Sequence, residues 1–344
     1  MSVKIKDIAR EANVSIATVS LVLNNKPGAS SSTREKIMKI AREMNYGLYR
    51  LSITATVRKG TIRFLKIAKH GQTVNRDHDV FISDYIEGLD QDAKLTGYNL
   101  EINTFKTTDM SVIIRSIEEH PVNGVIILGT ELSFEDIKAF EHLTTPIVFI
   151  DTYYDYLNFN FVDMNNIDSV YQIVTNFVQN GHKEIGFIRT PIDVNNFRQR
   201  EIGYRQALKR FEISYSEKHV FSVDSTFDGA YQDMRTILKK GVKLPSALFS
   251  SNDIIAYGCI KAIKEAGYRV PDDVSIIGFD DLPLSAVMDP PLTTMKVSKK
   301  RIGQLSMRLM NNMLEVDPGM PPVKITVCGR LILRKSVRDL NAKK

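Results

Sequence analysis

The stretch that decides the fold of the amino-terminal region runs from Ile5 to Leu23 and reads IKDIAREANVSIATVSLVL. Asn13, near its middle, tolerates the left-handed conformation of a tight turn, and Ser15 is typical of a helix N-cap. On either side of this turn the apolar residues recur at helical spacing: Ile5, Ile8, Ala9 and Ala12, then Val19, Val22 and Leu23. The pattern predicts two short helices joined by a tight turn.

A third helix is predicted by apolar residues at Ile37, Ile40, Ala41 and Met44. The turn-rich segment 24–28 ends the second helix, and Ser32 and Glu35 have the spacing of a capping box. Together the three helices make a helix-turn-helix, whose second helix enters the major groove of DNA. The residues of that helix expected to meet base edges are Ser15, Ile16, Ala17, Thr18, Ser20 and Leu21.

Positive charge is concentrated in this region. Residues 1–60 hold eleven Lys and Arg against four Asp and Glu, a net charge of +7, so the other 284 residues contribute −1 to the chain's +6. This distribution predicts a polyanion partner for the amino-terminal region alone. A solvated basic face and a helical hairpin of an ordinary core are the alternatives. The coincidence of the charge with the helix pattern favours double-stranded DNA.

Length and composition set the remaining bounds. A chain of 344 residues suits a small domain followed by a large two-lobed one. With 43% hydrophobic and 25% charged residues, it has the composition of a soluble globular protein. No apolar stretch approaches a membrane span, and no signal peptide is visible. Cys259 and Cys328 lack metal-ligand spacing and are expected to be reduced thiols. We therefore expect a cytoplasmic protein with no membrane contact.

From Thr61 onward, short apolar strands alternate with amphipathic helices. Segment 62–67 is predicted as the first strand, followed by a helix over 81–95 and a strand over 99–104. Glycines that end helices before strands recur at Gly97, Gly181 and Gly267. This alternation, repeated over about 230 residues, predicts α/β lobes with parallel sheets. Ligands of such folds bind in the crevice at the carboxyl ends of the strands.

The run from Ile5 to Ser20 resembles the opening signature of the lac repressor/Gal repressor family. Matching segments continue to the end of the chain, among them 33–37, 123–128, 146–151, 181–188, 200–204, 251–253, 278–281 and 290–294. The match is poorest in the linker and at 68–80, which reads as an enlarged loop. The resemblance implies an α/β protein with an N-terminal helix-turn-helix three-helix domain and a two-lobed periplasmic-binding-protein-like domain with parallel sheets. It also implies a homodimeric repressor that binds a palindromic operator and a small-molecule effector, a sugar or sugar derivative.

The resemblance also implies DNA-contacting residues. Ile16, Ala17 and Leu21 occupy base-reading positions, where Leu21 replaces an Arg that is common in relatives and offers only apolar contacts. The positions that correspond to phosphate contacts or flank the reading helix are Lys4, Ile5, Ser15, Thr18, Ser20, Asn24, Ser30, Thr33 and Tyr46.

The linker departs most from the family. Relatives form a hinge helix there, with a leucine that wedges into the minor groove. Ala55 stands at the matching position, and its β-branched neighbours are poor helix formers. Leu51 and Ile53 are the alternative wedge residues, and the sequence does not choose among the three.

Effector-binding candidates come from the strand ends. Asp151 and Asp280 each directly follow or end an apolar run and are expected to project into the crevice. The resemblance adds Arg200 and Asn252, and carboxylates and guanidinium suit sugar hydroxyls. Three aromatic residues, Phe81, Tyr153 and Phe227, are candidates for an apolar wall that stacks on a sugar. Strand-end caps, inter-lobe salt links and core packing are the alternative roles.

An enzyme and a transport binding protein are the competing classes. The sequence holds no phosphate-binding loop, dinucleotide turn, zinc-binding helix or nucleophile elbow, so we expect no cofactor, no metal and no catalytic residue. A carboxylate pair at Asp151 and Asp280 is the one arrangement that suits a hydrolase. The basic amino-terminal region favours a regulator over both classes.

The expected domains are residues 1–48 for the DNA-binding headpiece, 49–60 for the hinge linker, and 61–344 for effector binding and dimerisation. Within the last, one lobe is expected at about 61–161 and 292–320 and the other at about 162–291 and 321–344. The carboxyl-terminal residues lack the sustained heptads of a tetramerising coiled coil, which favours a dimer.

Overall fold

The computed structural model describes residues 5–23, 28–44, 59–70 and 79–342. The chain divides into two units, residues 1–59 with 94–99, and residues 60–93 with 100–344. We refer to them as the amino-terminal unit and the large unit. None of the described helices is both long and apolar enough to cross a membrane.

The described residues before position 59 of the amino-terminal unit contain three helices: α1 (Ile5–Ala12), α2 (Ile16–Leu23) and α3 (Ser31–Glu43). As predicted, the apolar positions at helical spacing form its core, and the buried members are Ile8, Ala9, Ala12, Val19, Val22, Ile37 and Ala41. The tight turn between α1 and α2 is also as predicted, because Asn13 has a φ of +54°. The small side chain of Ala9, which is buried, allows α1 and α2 to approach each other closely.

The start of α3 differs from the prediction. The helix begins at Ser31, and the Thr33 N–H donates to Ser30 Oγ at 3.2 Å. Ser30 is therefore the N-cap, and the capping box predicted at Ser32 and Glu35 is wrong. The hydroxyls of Ser30 and Thr33 also lie within 2.8 Å of each other. Because three serines precede Thr33, the composition alone did not fix which of them caps the helix.

Helices and strands alternate through the large unit. The helices are α4 (Asp79–Thr96), α5 (Met110–Glu119), α6 (Phe134–Lys138), α7 (Asn166–Gln179), α8 (Asn195–Arg210), α9 (Phe227–Lys239), α10 (Asp253–Glu265) and α11 (Lys299–Asn311). The strands are β1 (Gly60–Ile67), β2 (Tyr98–Phe105), β3 (Gly124–Leu128), β4 (Ile147–Ile150), β5 (Asn160–Met164), β6 (Ile185–Arg189), β7 (Val220–Ser222), β8 (Ala247–Ser250), β9 (Ser275–Asp280), β10 (Thr293–Lys296), β11 (Lys324–Val327) and β12 (Arg330–Ile332).

The strands form two six-stranded sheets, in the orders β11-β5-β4-β3-β1-β2 and β12-β10-β9-β8-β6-β7. Strand β12 runs antiparallel to β10, whereas β3, β4 and β9 run parallel to both of their neighbours. We call the part built on the first sheet lobe one and the part built on the second sheet lobe two. The chain passes between the lobes after β5, after β10 and after β11. The predicted α/β architecture with parallel sheets is confirmed.

Two short segments lie in the other lobe from the one expected. Strand β10 pairs with β9 and so belongs to lobe two, although 292–320 was expected in lobe one. Strand β11 pairs with β5 and so belongs to lobe one, although 321–344 was expected in lobe two. Each of these strands has four residues and lies directly before a crossing between the lobes, so its length and position in the sequence do not show which sheet it joins.

Buried apolar side chains fill both lobes. In lobe one, Phe149 packs against Phe140 and Phe161 with ring centroids 5.8 and 5.6 Å apart. In lobe two, Phe187 stacks on both Tyr204 and Phe249, at 5.2 and 5.1 Å. These cores hold the strands in register, so the carboxyl ends of the parallel strands of each sheet lie along one edge.

Candidate DNA-reading helix and inter-lobe cavity

Helix α2 presents its first turn to solvent. Val19 and Val22 are buried in the core of the amino-terminal unit, whereas Ser15, Ile16 and Ala17 are exposed. The Ile16 side chain is 57% exposed, which is unusual for an isoleucine on a packed helix. Ser15 caps the helix, because its Oγ accepts from the Thr18 N–H at 3.0 Å. The exposed first turn is the part of a helix-turn-helix that reaches base edges.

The other DNA-contacting candidates are partly buried, exposed, or outside the described residues. Ser30 is exposed, and the half-buried residues are Ile5, Thr18, Ser20, Leu21 and Thr33. A δ-methyl of Leu21 lies 3.4 Å from the position that a Cβ on Gly28 would take, which explains part of its burial. The candidates that lie outside the described residues are Lys4, Asn24, Tyr46, Leu51, Ile53 and Ala55.

The second site is a cavity in the large unit. Its walls come from both lobes: α4 and the loops after β3 and β4 from lobe one, and α8 with the loops after β6, β7, β8 and β9 from lobe two. The residues that line it are Phe81, Ile82, Thr130, Glu131, Asp151, Ile192, Val194, Asn196, Phe197, Arg200, Ser225, Asn252 and Asp280. It therefore brings together five of the seven effector-binding candidates.

Asp151 follows β4 directly and has a φ of +61°, which turns the chain sharply at the strand end. Its carboxylate accepts from the Tyr85 hydroxyl at 2.7 Å and from the Thr130 hydroxyl. The Asn196 amide of lobe two donates to the Asp151 carbonyl oxygen at 2.9 Å and to Oδ1 at 3.3 Å. Burial raises the pKa of Asp151, although the hydrogen bonds from Thr130 and Tyr85 oppose the shift.

Arg200 is held on α8 by bonds to the protein. Its Nε donates to Asn166 Oδ1 at 3.0 Å, its Nη1 to the Ser251 carbonyl oxygen, and its Nη2 lies 3.1 Å from the Met164 sulfur. The Phe279 ring covers one face of the guanidinium, with 3.7 Å from Cζ to the ring centroid. These contacts fix the guanidinium in the wall of the cavity, where only 3% of the residue is exposed.

Asp280, the last residue of β9, is the least satisfied of the cavity carboxylates. Its Oδ1 lies 3.6 Å from Arg200 Nη2, and within the described part of the chain this oxygen has no hydrogen-bond partner. Lys299, the first residue of α11, donates to the Asp280 carbonyl oxygen at 3.0 Å. Burial raises the pKa of Asp280 to about 7, against the opposing charges of Arg200 and Lys299.

Asn252 and Asp253 begin α10 beside this carboxylate. Asn252 caps the helix, because its Oδ1 accepts from the Ile255 N–H at 2.8 Å. Asp253 is buried and accepts from the Leu282 N–H at 2.9 Å and from the Thr294 hydroxyl at 2.6 Å. Burial raises its pKa to about 6. Asp253 thus ties the loop after β9 to α10 and positions Asp280, a role that the sequence reasoning did not assign.

The three aromatic candidates have different places. Phe81 lines the cavity and packs edge-on against Tyr85, with ring centroids 5.3 Å apart. Tyr153 packs against the hydrophobic core of lobe one. Phe227 is the first residue of α9 and lies 5.9 Å from Lys261 Nζ. Tyr153 and Phe227 are not among the cavity-lining residues of the described chain.

Several cavity residues escaped the sequence reasoning. The apolar wall of lobe two is built by Ile192, Val194 and Phe197. Asn196 lies four residues before Arg200 and so on the same face of α8, a spacing that the sequence displays. Tyr85 has the same relation to Phe81 on α4. Among the described residues, no group of three or more His, Cys, Asp or Glu is placed to hold a metal ion.

Comparison with known proteins agrees with the two kinds of domain seen in the fold. Residues 4–47 match the family described as bacterial regulatory proteins, lacI family, and residues 174–337 match a periplasmic binding protein-like domain. The chain is 30% identical over 337 residues to the HTH-type transcriptional repressor CytR of Escherichia coli K12, covering 97% of this chain and 96% of that protein. It belongs to the lacI family of DNA-binding transcriptional regulators.

Two solved structures share the fold. A complex of the transcriptional regulator CelR with cellobiose superposes with a TM-score of 0.73 and 22% identity, covering 97% of this chain and 99% of the other. The lac repressor dimer bound to operator and the anti-inducer ONPF gives a TM-score of 0.71 and 24% identity, covering 98% of this chain and all of the other.

Proposed function

We propose that this chain represses transcription as a homodimer on a palindromic operator, and that a small molecule held in the inter-lobe cavity controls its affinity for that operator. The proposed effector is a sugar or sugar derivative, and the proposed location is the cytoplasm. The observation that carries the proposal is the presence, in one chain, of an exposed reading helix and a cavity lined from two lobes.

Chemistry supports a sugar-like effector. Phe81 and Ile82 from lobe one and Phe197 from lobe two offer apolar surface to a ring. Asp280 Oδ1 offers a buried acceptor for a hydroxyl group. Apolar walls with a few placed polar groups are typical of small-molecule sites. The cellobiose bound by CelR and the ligand of the lac repressor complex are properties of those proteins, and they are consistent with this proposal.

We propose binding without chemical turnover. The carboxylate of Asp151 accepts from Tyr85, Thr130 and Asn196. It therefore serves to hold the two lobes together. A general base needs access to the proton that it removes. Both carboxylate oxygens of Asp151 already accept hydrogen bonds from the protein, so Asp151 is poorly placed for that role.

A thermal-shift screen of the full chain against glucose, ribose, cellobiose and adenosine tests the proposal. We expect at least one compound to raise the melting temperature, because a ligand that binds only the folded state stabilises it. That compound should also change operator affinity and be recovered unchanged after incubation with the protein. Recovery of a hydrolysed or modified product contradicts the regulator and supports the enzyme alternative.

A further inference from the structure

The hydrogen-bonding capacity of the cavity is unevenly distributed between donors and acceptors. The Arg200 guanidinium donates to Asn166, to the Ser251 carbonyl oxygen and towards the Met164 sulfur. The Asn196 amide donates to Asp151. These two side chains are the obvious donors for an anion, and protein acceptors already engage both of them.

The Asn196 amide oxygen is engaged as well, because Asn166 Nδ2 donates to it at 2.9 Å. The Thr130 hydroxyl donates to Asp151. Lys299 lies behind the wall, where its ammonium group donates to the Asp280 carbonyl oxygen and stands 3.6 Å from Asp84. The positive groups around the cavity are therefore committed to holding the protein together.

The carboxylates around the cavity outnumber the cationic side chains. Among the described residues, three carboxylates line the cavity, those of Glu131, Asp151 and Asp280, against one guanidinium, that of Arg200. A fourth buried carboxylate, Asp163, lies close enough for its charge interaction with Asp151 to add to the rise that burial causes in its pKa. Asp163 Oδ2 and Asp280 Oδ1 both lack a hydrogen-bond partner within the described residues. With Lys299 counted, four carboxyl groups face two cationic groups among the described residues. The raised pKa values of Asp163 and Asp280 keep part of this negative charge protonated near neutral pH.

An anionic ligand meets two penalties in such a site. Its charge is repelled by the excess carboxylates in a region of low dielectric constant. Its oxygens, which only accept hydrogen bonds, lose their water and meet an Arg200 guanidinium and an Asn196 amide that already donate to the protein. Burying a charge without enough partners is costly. A hydroxyl or amino group has a smaller desolvation cost, because it can donate a hydrogen bond to the unpaired carboxylate oxygen of Asp280.

We propose that the cavity selects an uncharged or cationic effector that presents hydrogen-bond donors on an apolar ring, and that it excludes effectors with a phosphate or carboxylate group. This inference rests on the proposed function, because it takes the cavity to be the effector site. It narrows the effector class to free sugars, amino sugars and nucleosides, and it excludes sugar phosphates and nucleotides.

The charge excess is tested first without any ligand, on the full chain at pH 8. Asp280→Asn removes one cavity carboxylate, and Asp289→Asn is the matched control, because the Asp289 side chain is 92% exposed. We expect Asp280→Asn to raise the melting temperature by roughly 2 °C or more, given that about 1 kcal/mol shifts it by 2–4 °C in domains of 150–250 residues. Asp289→Asn should leave the melting temperature unchanged or slightly lower. A lower melting temperature for Asp280→Asn overturns the charge argument and the inference with it.

The second arm uses matched probes on the same protein: glucose with glucosamine and glucose 6-phosphate, ribose with ribose 5-phosphate, and adenosine with adenosine monophosphate. We expect the unphosphorylated member of any pair that binds to bind at least about tenfold more tightly, which corresponds to about 1.4 kcal/mol. A phosphorylated member that binds more tightly, and whose binding is weakened by Arg200→Ala, contradicts the inference and leaves the small-molecule sensor standing. If no probe binds, the sugar effector of the proposed function fails, and the ligand-free arm decides the inference.

Discussion

The side-chain amide of Asn196 donates to both the carbonyl oxygen and the carboxylate of Asp151, at 2.9 and 3.3 Å. Asn196 belongs to lobe two and Asp151 to lobe one, so these bonds join the lobes directly at the cavity. The neighbouring Asn195 amide adds a second link, to the Tyr153 carbonyl oxygen at 2.6 Å. We expect an effector that enters between the lobes to act on this junction.

Loss of the junction is expected to weaken both folding and sensing. Asn196→Ala leaves the buried Asp151 carbonyl oxygen without its donor, at a cost of about 1–3 kcal/mol in the free energy of unfolding. Chemical denaturation of the full chain measures this cost, and the change in operator affinity caused by effector should shrink in parallel. Asn158→Ala, at an exposed position, is the control. Equal stability of the two variants contradicts the role given to Asn196.

Arg200 is expected to be required for the effector response. Arg200→Ala removes the partner of a buried carboxylate and the contacts to Asn166, Ser251 and Met164, at a cost of about 3–5 kcal/mol in stability. Operator affinity should persist at temperatures where the variant is folded, because the reading helix lies in the amino-terminal unit. Arg205→Ala, on an exposed face of the same helix, is the matched control. A normal effector response in Arg200→Ala shows that the cavity has been misassigned.

Ionisation of Asp280 is expected to lower the stability of the folded chain as the pH rises. Its folded pKa of about 7 exceeds the ordinary value of 3.8, because burial and the nearby Asp253 and Asp151 outweigh Arg200 and Lys299. The folded state then binds the proton more tightly than the unfolded state, so the stability contribution is complete below pH 4 and is lost as the pH rises to about 7. Asp280→Asn, compared with wild type by denaturation at pH 4.5 to 8, should gain relative stability of a few kcal/mol across this interval. A pH-independent difference contradicts the raised pKa.

Substitutions of Ser30 and Ser32 should affect the stability of α3 differently, because only Ser30 caps the helix. Ser30→Ala removes the acceptor of the Thr33 N–H and is expected to cost about 1 kcal/mol. Ser32→Ala should cost only a few tenths, because the Ser32 hydroxyl accepts no bond from the first turn of the helix among those described, and it touches only Ser30 Oγ at 3.1 Å. Hydrogen exchange of the α3 amides measures both. A larger effect of Ser32→Ala restores the capping box predicted from the sequence.

The predictable part of the molecule is the part that local patterns encode. The spacing of Ile8, Ala12, Val19 and Val22 predicts the packed helices, because each helix must bury one face. Asp151 and Asp280 were expected to meet in a crevice because each stands where a parallel strand ends. The cavity contains both of them. Helix-ending glycines are likewise where they were expected, as Gly181 and Gly267 have φ values of +83° and +92°.

The remainder depends on contacts between distant segments. Lys299 reaches the Asp280 carbonyl oxygen only because the chain changes lobes between β10 and α11. The lobes of β10 and β11 were misassigned because each strand has four residues and lies directly before a crossing between the lobes. The aromatic candidates for the cavity were also too many. The sequence does not distinguish Tyr153 from Phe81, and only the folded structure shows that Tyr153 packs against the core of lobe one.

We propose that a small molecule in the inter-lobe cavity controls the affinity of the amino-terminal helix-turn-helix for its operator. The most direct measurement selects bound sequences from random duplexes with the full chain, and then follows the affinity for the selected duplex by fluorescence anisotropy with and without the compound found in the thermal-shift screen. We expect a palindromic sequence, an affinity that falls steeply with salt because phosphate contacts release counterions, and a change of at least about tenfold with the compound. Binding without sequence preference, or an operator affinity that the bound compound leaves unchanged, contradicts it.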